Sequence, residues 1–192
     1  MSGFFYMLLG ASLVFGLHLL RLRYASFLAQ NPQDYVGDSV EFDLRQHLNG
    51  PIDCEGVIYG PFGRVTSRFV GAFNCEWTGN HGVMREKFTY DDGSIQNREW
   101  SLTLDENGMI KALAPDVIGE GTGVQSGSSV QLKYRIRMPE SAGSHVLDTV
   151  DWLYLAPNGN IINRSQFRKF GIQVAELVAT MRPVNATSKG AL

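Results

Sequence analysis

"SVQLKYRIRM", residues 129–138, alternates without a fault. Val130, Leu132, Tyr134, Ile136 and Met138 fall on one face, and Gln131, Lys133, Arg135 and Arg137 on the other. In a strand, successive side chains point to opposite sides, so a period of two with one apolar face reads as a half-buried strand. The same period runs through "VTSRFVGAFNCEW", where Val65, Phe69, Phe73, Cys75 and Trp77 oppose Thr66, Arg68, Asn74 and Glu76. Turn signals punctuate such runs: "GPFG" at 60–63, "DDGS" at 91–94, "DENG" at 105–108 and "APNGN" at 156–160. "IQVAELVATM" near the end suits a strand or a short helix; a strand would complete a barrel and is the reading adopted. The spacing predicts about nine or ten locally joined antiparallel strands, an all-β chain with no βαβ units. A meander of that length tends to close on itself, because closure removes exposed edges, so an up-and-down β-barrel is expected.

Composition narrows the function classes. The 192 residues are 44% apolar and 19% charged, with a formal charge of −2, and no Lys/Arg block offers a nucleic-acid footprint. "GEGTG" at 119–123 lacks the Lys-Ser/Thr ending of a phosphate loop and reads as a bend or bulge in a strand. His18, His47, His81 and His145 are scattered without metal-ligand spacing, and no nucleophile elbow is present. Neither a metal, a cofactor nor a catalytic set is therefore expected. If the strands around "GPFG" form a hairpin, Cys54 lies opposite Gly71 or Phe69. Cys75 is then roughly 13 Å away at ~3.3 Å per residue, beyond disulfide reach, so both cysteines are expected free and buried.

The N-terminus has a different character. "FFYMLLGASLVFGLHLL", residues 4–20, is uncharged, and as a helix it covers about 26 Å. Arg21, Arg23 and Tyr24 follow it, whereas a cleavable signal would carry its positive charge before the apolar run and small residues after it. A retained single-pass anchor over 1–30 is expected, then a linker over 31–50 with a short helix near "FDLRQHL". The barrel would occupy 51–183 and a flexible tail 184–192. The two arginines favour a cytoplasmic side for the barrel.

"YDDGSIQNREWSLTL", residues 90–104, puts Arg98 in step with Trp100, Leu102 and Leu104, which should face inward. Centring the hairpin on "DDG" pairs Tyr90 with Gln96, Phe88 with Arg98, Glu86 with Trp100 and Met84 with Leu102. Glu86 then lies diagonal to Arg98 on the inner face, and an inward charge requires such a partner. Two readings stand. The pair is structural, or Arg98 holds an anionic head group while Trp100, Phe88, Phe73 and Tyr134 line a cavity. A second polar group comprises Asp151, Trp152, Asn163 and Arg164 beside the "APNGN" turn, with Lys169 after it. Within it, Trp152 is expected to face Arg164 as a stacking pair.

Six stretches carry a resemblance to a known family: "FDLRQHLNG", "FTYDDGSIQNREWSL", "YRIRMP", "VDWLYL", "NRSQFRKFG" and "VAELVATMRP". From about residue 42 to 183 the chain resembles the bacterial family catalogued as domain of unknown function 3833, grouped with lipocalin-like barrels. The resemblance implies a lipocalin-like barrel in the envelope of a Gram-negative bacterium, hence the inner membrane with the barrel on the periplasmic side, against the arginine count. The chain lacks the Gly-x-Trp of true lipocalins; "NCEWTG" is the nearest approach. Three functions are compatible with these readings. The first is non-catalytic binding of a lipid or other apolar molecule, the second an assembly role through protein partners, and the third an enzyme using Glu86 beside Arg98.

Overall fold

The alternating stretches form ten antiparallel strands in a computed structural model of the chain, which describes residues 2–184. They are β1 (Gly50–Tyr59), β2 (Val65–Thr78), β3 (His81–Tyr90), β4 (Ile95–Leu104) and β5 (Met109–Leu113), followed by β6 (Gly121–Ser126), β7 (Ser129–Arg137), β8 (Val146–Leu155), β9 (Ile161–Lys169) and β10 (Ile172–Pro183). Each strand pairs with the next, and β1 pairs with β10 from Ile52↔Pro183 to Tyr59↔Glu176, so the sheet closes. Closure leaves no first or last strand to template aggregation. Cys54 lies opposite Gly71, and both cysteines are free and buried. The expected tail beyond residue 184 lies outside the described residues.

One register departs from the sequence reading. Tyr90 N donates to Ser94 O at 3.0 Å, and Gly93, at φ 83°, donates back to Tyr90 O at 3.0 Å. The turn is thus the three residues Asp91–Gly93, centred on Asp92, with glycine in the left-handed position that such hairpins need. Glu86 consequently faces Arg98 directly, Phe88 faces Gln96 and Met84 faces Trp100. The expected pairs were two residues out. An even shift leaves every side chain on its original face.

The two ends of the barrel differ. Residues 31–50, expected as a linker, are integral to the fold. Asp43 caps the short helix α2 (Leu44–His47) by accepting from Arg45 N, and the buried Phe42, Leu44 and Leu48 floor the barrel beneath it. Trp77 Nε1 donates to Leu48 O at 2.9 Å and Phe42 N to Gly127 O at 2.8 Å, which fixes this floor to the β2 and β6–β7 ends. Upstream, residues 27–42 run along the outer wall as a strap. Gln30 Oε1 accepts from both Tyr35 and Tyr154 hydroxyls at 2.7 Å, and Ser126 Oγ donates to Pro32 O at 2.7 Å. The opposite end is bordered by turns and by the β7–β8 connection, whose Pro139 and Ala142 line the interior, and among the described residues no floor like that beneath α2 closes it. Ahead of the strap stands α1 (Ser2–Tyr24), an exposed apolar helix about 35 Å long at 1.5 Å per residue, which can cross a bilayer.

The wall is incomplete at one place. β4 pairs with β5 only between Ser101 and Leu104. Past Leu113 the chain leaves β4 and pairs with β7 through Val117↔Ile136, with Arg137 N donating to Asp116 O at 2.8 Å. A lateral gap therefore separates the first half of β4 from residues 114–118.

The strap gives a test of this arrangement. Gly127 sits at φ 50°, and a Cβ there would stand 1.7 Å from Tyr35 O. Gly127→Ala is expected to cost more than about 1 kcal/mol and to expose Tyr35 to chymotrypsin, the strap lifting while the barrel persists. An unchanged digestion pattern would show that the strap does not pack against this turn.

Candidate functional site

Alternation on β3, β4 and β7 aims Glu86, Phe88, Arg98, Trp100 and Tyr134 into the barrel, and β2 adds Phe73. All six border one cavity of about 680 Å³ that runs from the floor at Leu44 and Leu48 to the uncovered end near Asp92, Ser94 and Pro139. Its apolar side is an aromatic cluster. Phe73 and Phe88 meet edge to face at 5.0 Å, Phe69 and Phe88 at 5.3 Å. Gly71 makes room for it, since a Cβ there would stand 2.6 Å from the Phe73 ring.

A belt of polar groups crosses the other side. Arg98 Nε and Nη2 donate to the two carboxylate oxygens of Asp116 at 2.8 and 3.1 Å, a forked ion pair across the lateral gap. Its Nη1 lies 3.6 Å from Glu86 Oε2, and the same oxygen accepts from Trp100 Nε1 at 3.2 Å. The guanidinium also sits 4.8 Å over the Trp100 ring, and Trp100 meets Tyr134 edge to face at 5.2 Å. Tyr134 Oη donates to Asp151 Oδ2 at 2.8 Å, while Asp151 Oδ1 is buried and has no hydrogen-bond partner.

Of the two readings of Arg98, this geometry supports pairing within the protein. Its positive charge is already matched by the carboxylates of Asp116 and Glu86, so the belt offers an incoming anion little net attraction. Unused capacity is instead of the acceptor kind, at Asp151 Oδ1 and on the second oxygen of Glu86. Asp116, the principal partner of Arg98, was not singled out in the sequence. The only local signal is an acid between apolar pairs in "APDVI", and the contact spans 18 residues through a connection of irregular course.

Burial sets the protonation of the belt. It pushes Glu86 up from 4.5 to about 7, further raised by Asp151 and Asp116, while the Arg98 charge and the Trp100 hydrogen bond act the other way. Asp151 is raised by burial against the opposing influence of the neighbouring Ser165 hydroxyl, the hydrogen bond from Tyr134 and the Arg98 charge, and the Tyr134 hydroxyl is pushed well up for the same first reason. Burial likewise takes the Cys54 thiol to about 12 and Cys75 to about 11, which leaves neither a nucleophile. Among the described residues no group of three His, Cys, Asp or Glu side chains is placed to hold a metal.

The second polar group does not hold together. Asp151 and Asn163 border the cavity, whereas Trp152 and Arg164 lie on the outer face of adjacent strands. Trp152 and Arg164 are cross-strand neighbours as expected, yet they do not stack. Arg164 lies 5.0 Å over the Phe27 ring, and Trp152 stacks on Tyr154 at 5.9 Å and 4° and packs under Tyr35 at 5.4 Å. Trp152 is 0% exposed for that reason: the strap covers it. Lys169 belongs to neither group. It lies at the uncovered end, 3.0 Å from His145 Nδ1.

The family profile described as "protein of unknown function (DUF3833)" matches residues 22–183. Among curated proteins none matches the sequence. Of solved structures, Rv2717c from M. tuberculosis aligns with TM-score 0.51 at 13% identity, over 73% of this chain and 94% of that one. A redesigned β-barrel, mFAP1, bound to DFHBI, gives 0.39 at 12% identity over 72% and 97%. A Bacteroides fragilis protein with YmcC-like fold gives 0.35 at 9% over 68% and 94%. The first of these is a likeness of fold.

Two outcomes follow from the belt. Between pH 4.5 and about 7 folded Glu86 binds a proton that the unfolded chain has lost, so stability falls as pH rises through that window. Thermal melts of the full chain in detergent are expected to show that slope, and Glu86→Gln to flatten it; equal slopes in both would mean Glu86 titrates normally. Asp116→Ala, which leaves Arg98 buried with Glu86 alone, is expected to cost about 3 kcal/mol in denaturant unfolding. A loss within ~0.5 kcal/mol, the range of ordinary surface substitutions, would show that the pair is dispensable.

Proposed function

The chain belongs to the DUF3833 family, and from the cavity that its barrel encloses we propose that it is a membrane-tethered, non-catalytic binding protein for an apolar small molecule. The single observation that carries this reading is the cavity of about 680 Å³, floored at one end and uncovered at the other. Small-molecule sites have about 300–1,000 Å³, mostly apolar walls and a few placed polar groups. A barrel of this strand number has room for one small ligand. The helix over Gly3–Tyr24 is the tether in this reading; it is long and apolar enough to span a bilayer.

The head group of the ligand follows from the belt. The charge of Arg98 is matched by Asp116 and Glu86, while Asp151 Oδ1 and Glu86 face the cavity as acceptors. A buried acceptor without a partner costs free energy that an entering hydroxyl or amine recovers. The ligand therefore carries a hydrogen-bond donor on a long apolar body, rather than the anionic head group that one of the two readings of Arg98 would require.

A second reading rests on a specific feature: Glu86 near neutrality, beside Arg98, on the wall of a cavity, is placed and tuned for general acid–base work. Binding is the more economical reading, because Arg98 and Trp100 already occupy the Glu86 oxygen that they share.

Native mass spectrometry of the full chain, released from its native membrane in detergent, is expected to find one co-purified lipid-sized mass. Ala179→Phe, which fills the cavity from β10, should abolish it while the melting transition is retained. Offered a long-chain alcohol and the fatty acid of equal length, the protein should favour the alcohol about tenfold, the equivalent of one hydrogen bond. An empty protein that takes up neither probe would refute the binding reading. Preference for the acid would refute only the head-group assignment.

A further inference from the structure

The uncovered end of the barrel presents apolar side chains that the cavity does not use. The β1–β2 turn carries Phe62 and the β9–β10 turn Phe170, each 91% exposed, and Ile172 beside Phe170 is 70% exposed. Phe170 is also held at φ 52°, a left-handed conformation that bulky side chains rarely adopt. A turn selected only for solubility would place Asn or Gly there. Here the chain carries both a backbone penalty and a fully exposed aromatic ring at one residue. β1 pairs with β10, so the two turns stand side by side at one arc of the mouth.

Their flanks are basic. "GPFGR" and "RKFGI", residues 60–64 and 168–172, contain Arg64, Arg168 and Lys169 and no acid. Lys169 Nζ lies 5.8 Å from the Phe170 ring, and Arg168 Nη1 donates to Gly171 O at 3.1 Å, holding the turn. Aromatic tips above a collar of cations match the layering of a bilayer surface, with apolar groups below the anionic headgroups and positive charge among them.

The tether joins the strand that ends in one of these tips. Phe27 is fixed against Arg164 on the outer face of β9, three residues after α1 ends at Tyr24. From Arg164 the strand runs toward Phe170, roughly 20 Å at ~3.3 Å per residue. The helix thus departs from the wall whose far end bears the aromatic tips.

We propose that the mouth of the barrel docks on the bilayer that holds α1. Phe62, Phe170 and Ile172 enter the acyl–headgroup boundary, and Arg64, Arg168 and Lys169 contact anionic headgroups. The cavity then opens onto lipid and its floor at Leu44 and Leu48 faces water. This docking stands or falls independently of whether the cavity holds a ligand.

Spin labels on the full chain in proteoliposomes test it. Single cysteines replace Phe62, Phe170 and, at the opposite end, Asn158; the native Cys54 and Cys75 are buried and stay unlabelled. In phosphatidylcholine vesicles containing phosphatidylglycerol, labels at 62 and 170 should be relaxed by oxygen and shielded from a water-soluble nickel chelate. The label at 158 should show the reverse. Arg64→Glu with Lys169→Glu, in protein of unchanged melting temperature, should return both tips to the chelate. Chelate access at 62 and 170 equal to that at 158 would overturn the proposal. Shielding from oxygen and chelate alike would also overturn it, assigning the tips to a protein contact.

Discussion

An arginine inside a β-barrel must be paired, and the pairing of Arg98 organises the interior. A buried guanidinium without carboxylates would be prohibitive, so the chain delivers two, one from the neighbouring strand and one from a distant connection. The Asp116 pair spans the stretch where β4 has lost β5 as a hydrogen-bonded neighbour, and it draws residues 114–118 against the wall. The same pairing offsets the charge of Arg98. What remains open in the cavity is carboxylate oxygen, and the local chemistry follows from that surplus.

The surplus also explains why the belt is electrostatically soft. Asp116 satisfies the arginine, so Glu86 experiences burial more strongly than attraction and rests near neutrality. Asp151 is in a similar position, held on one oxygen by Tyr134 and bare on the other. A site that a proton or a donor group can complete differs in kind from a sealed structural ion pair.

Much of the barrel was legible from the chain alone. Alternation in "SVQLKYRIRM" and "VTSRFVGAFNCEW", with the turn clusters, was enough for strands, faces and closure. Facing is robust because its period is two; register is less so, because it depends on which residue of "DDG" sits at the apex, and Gly93 took the left-handed position after the apex. Arg98 and Glu86 were readable as inward because polarity at an apolar phase stands out. Asp116 was not, because it lies in an irregular connection where no period applies. In residues 31–50 the short helix near "FDLRQHL" was legible, but its packing against the barrel was not, for the same reason. Phe42, Leu44 and Leu48 have no regular spacing, and their burial comes from tertiary contact with the barrel end. Trp152 shows the limit most clearly. It sits on the outward phase of β8, and only the strap makes it the largest fully buried side chain.

In the binding reading proposed above, the polar belt is completed by what enters the cavity. A carbon-13 NMR titration of the Glu86 carboxyl, in the full chain freed of co-purified molecules, measures this most directly. The midpoint is expected near 7, and it should move when a long-chain alcohol or amine is added. A midpoint near the ordinary 4.5, unmoved by either molecule, would mean that the belt is already satisfied and the cavity is only a packing void.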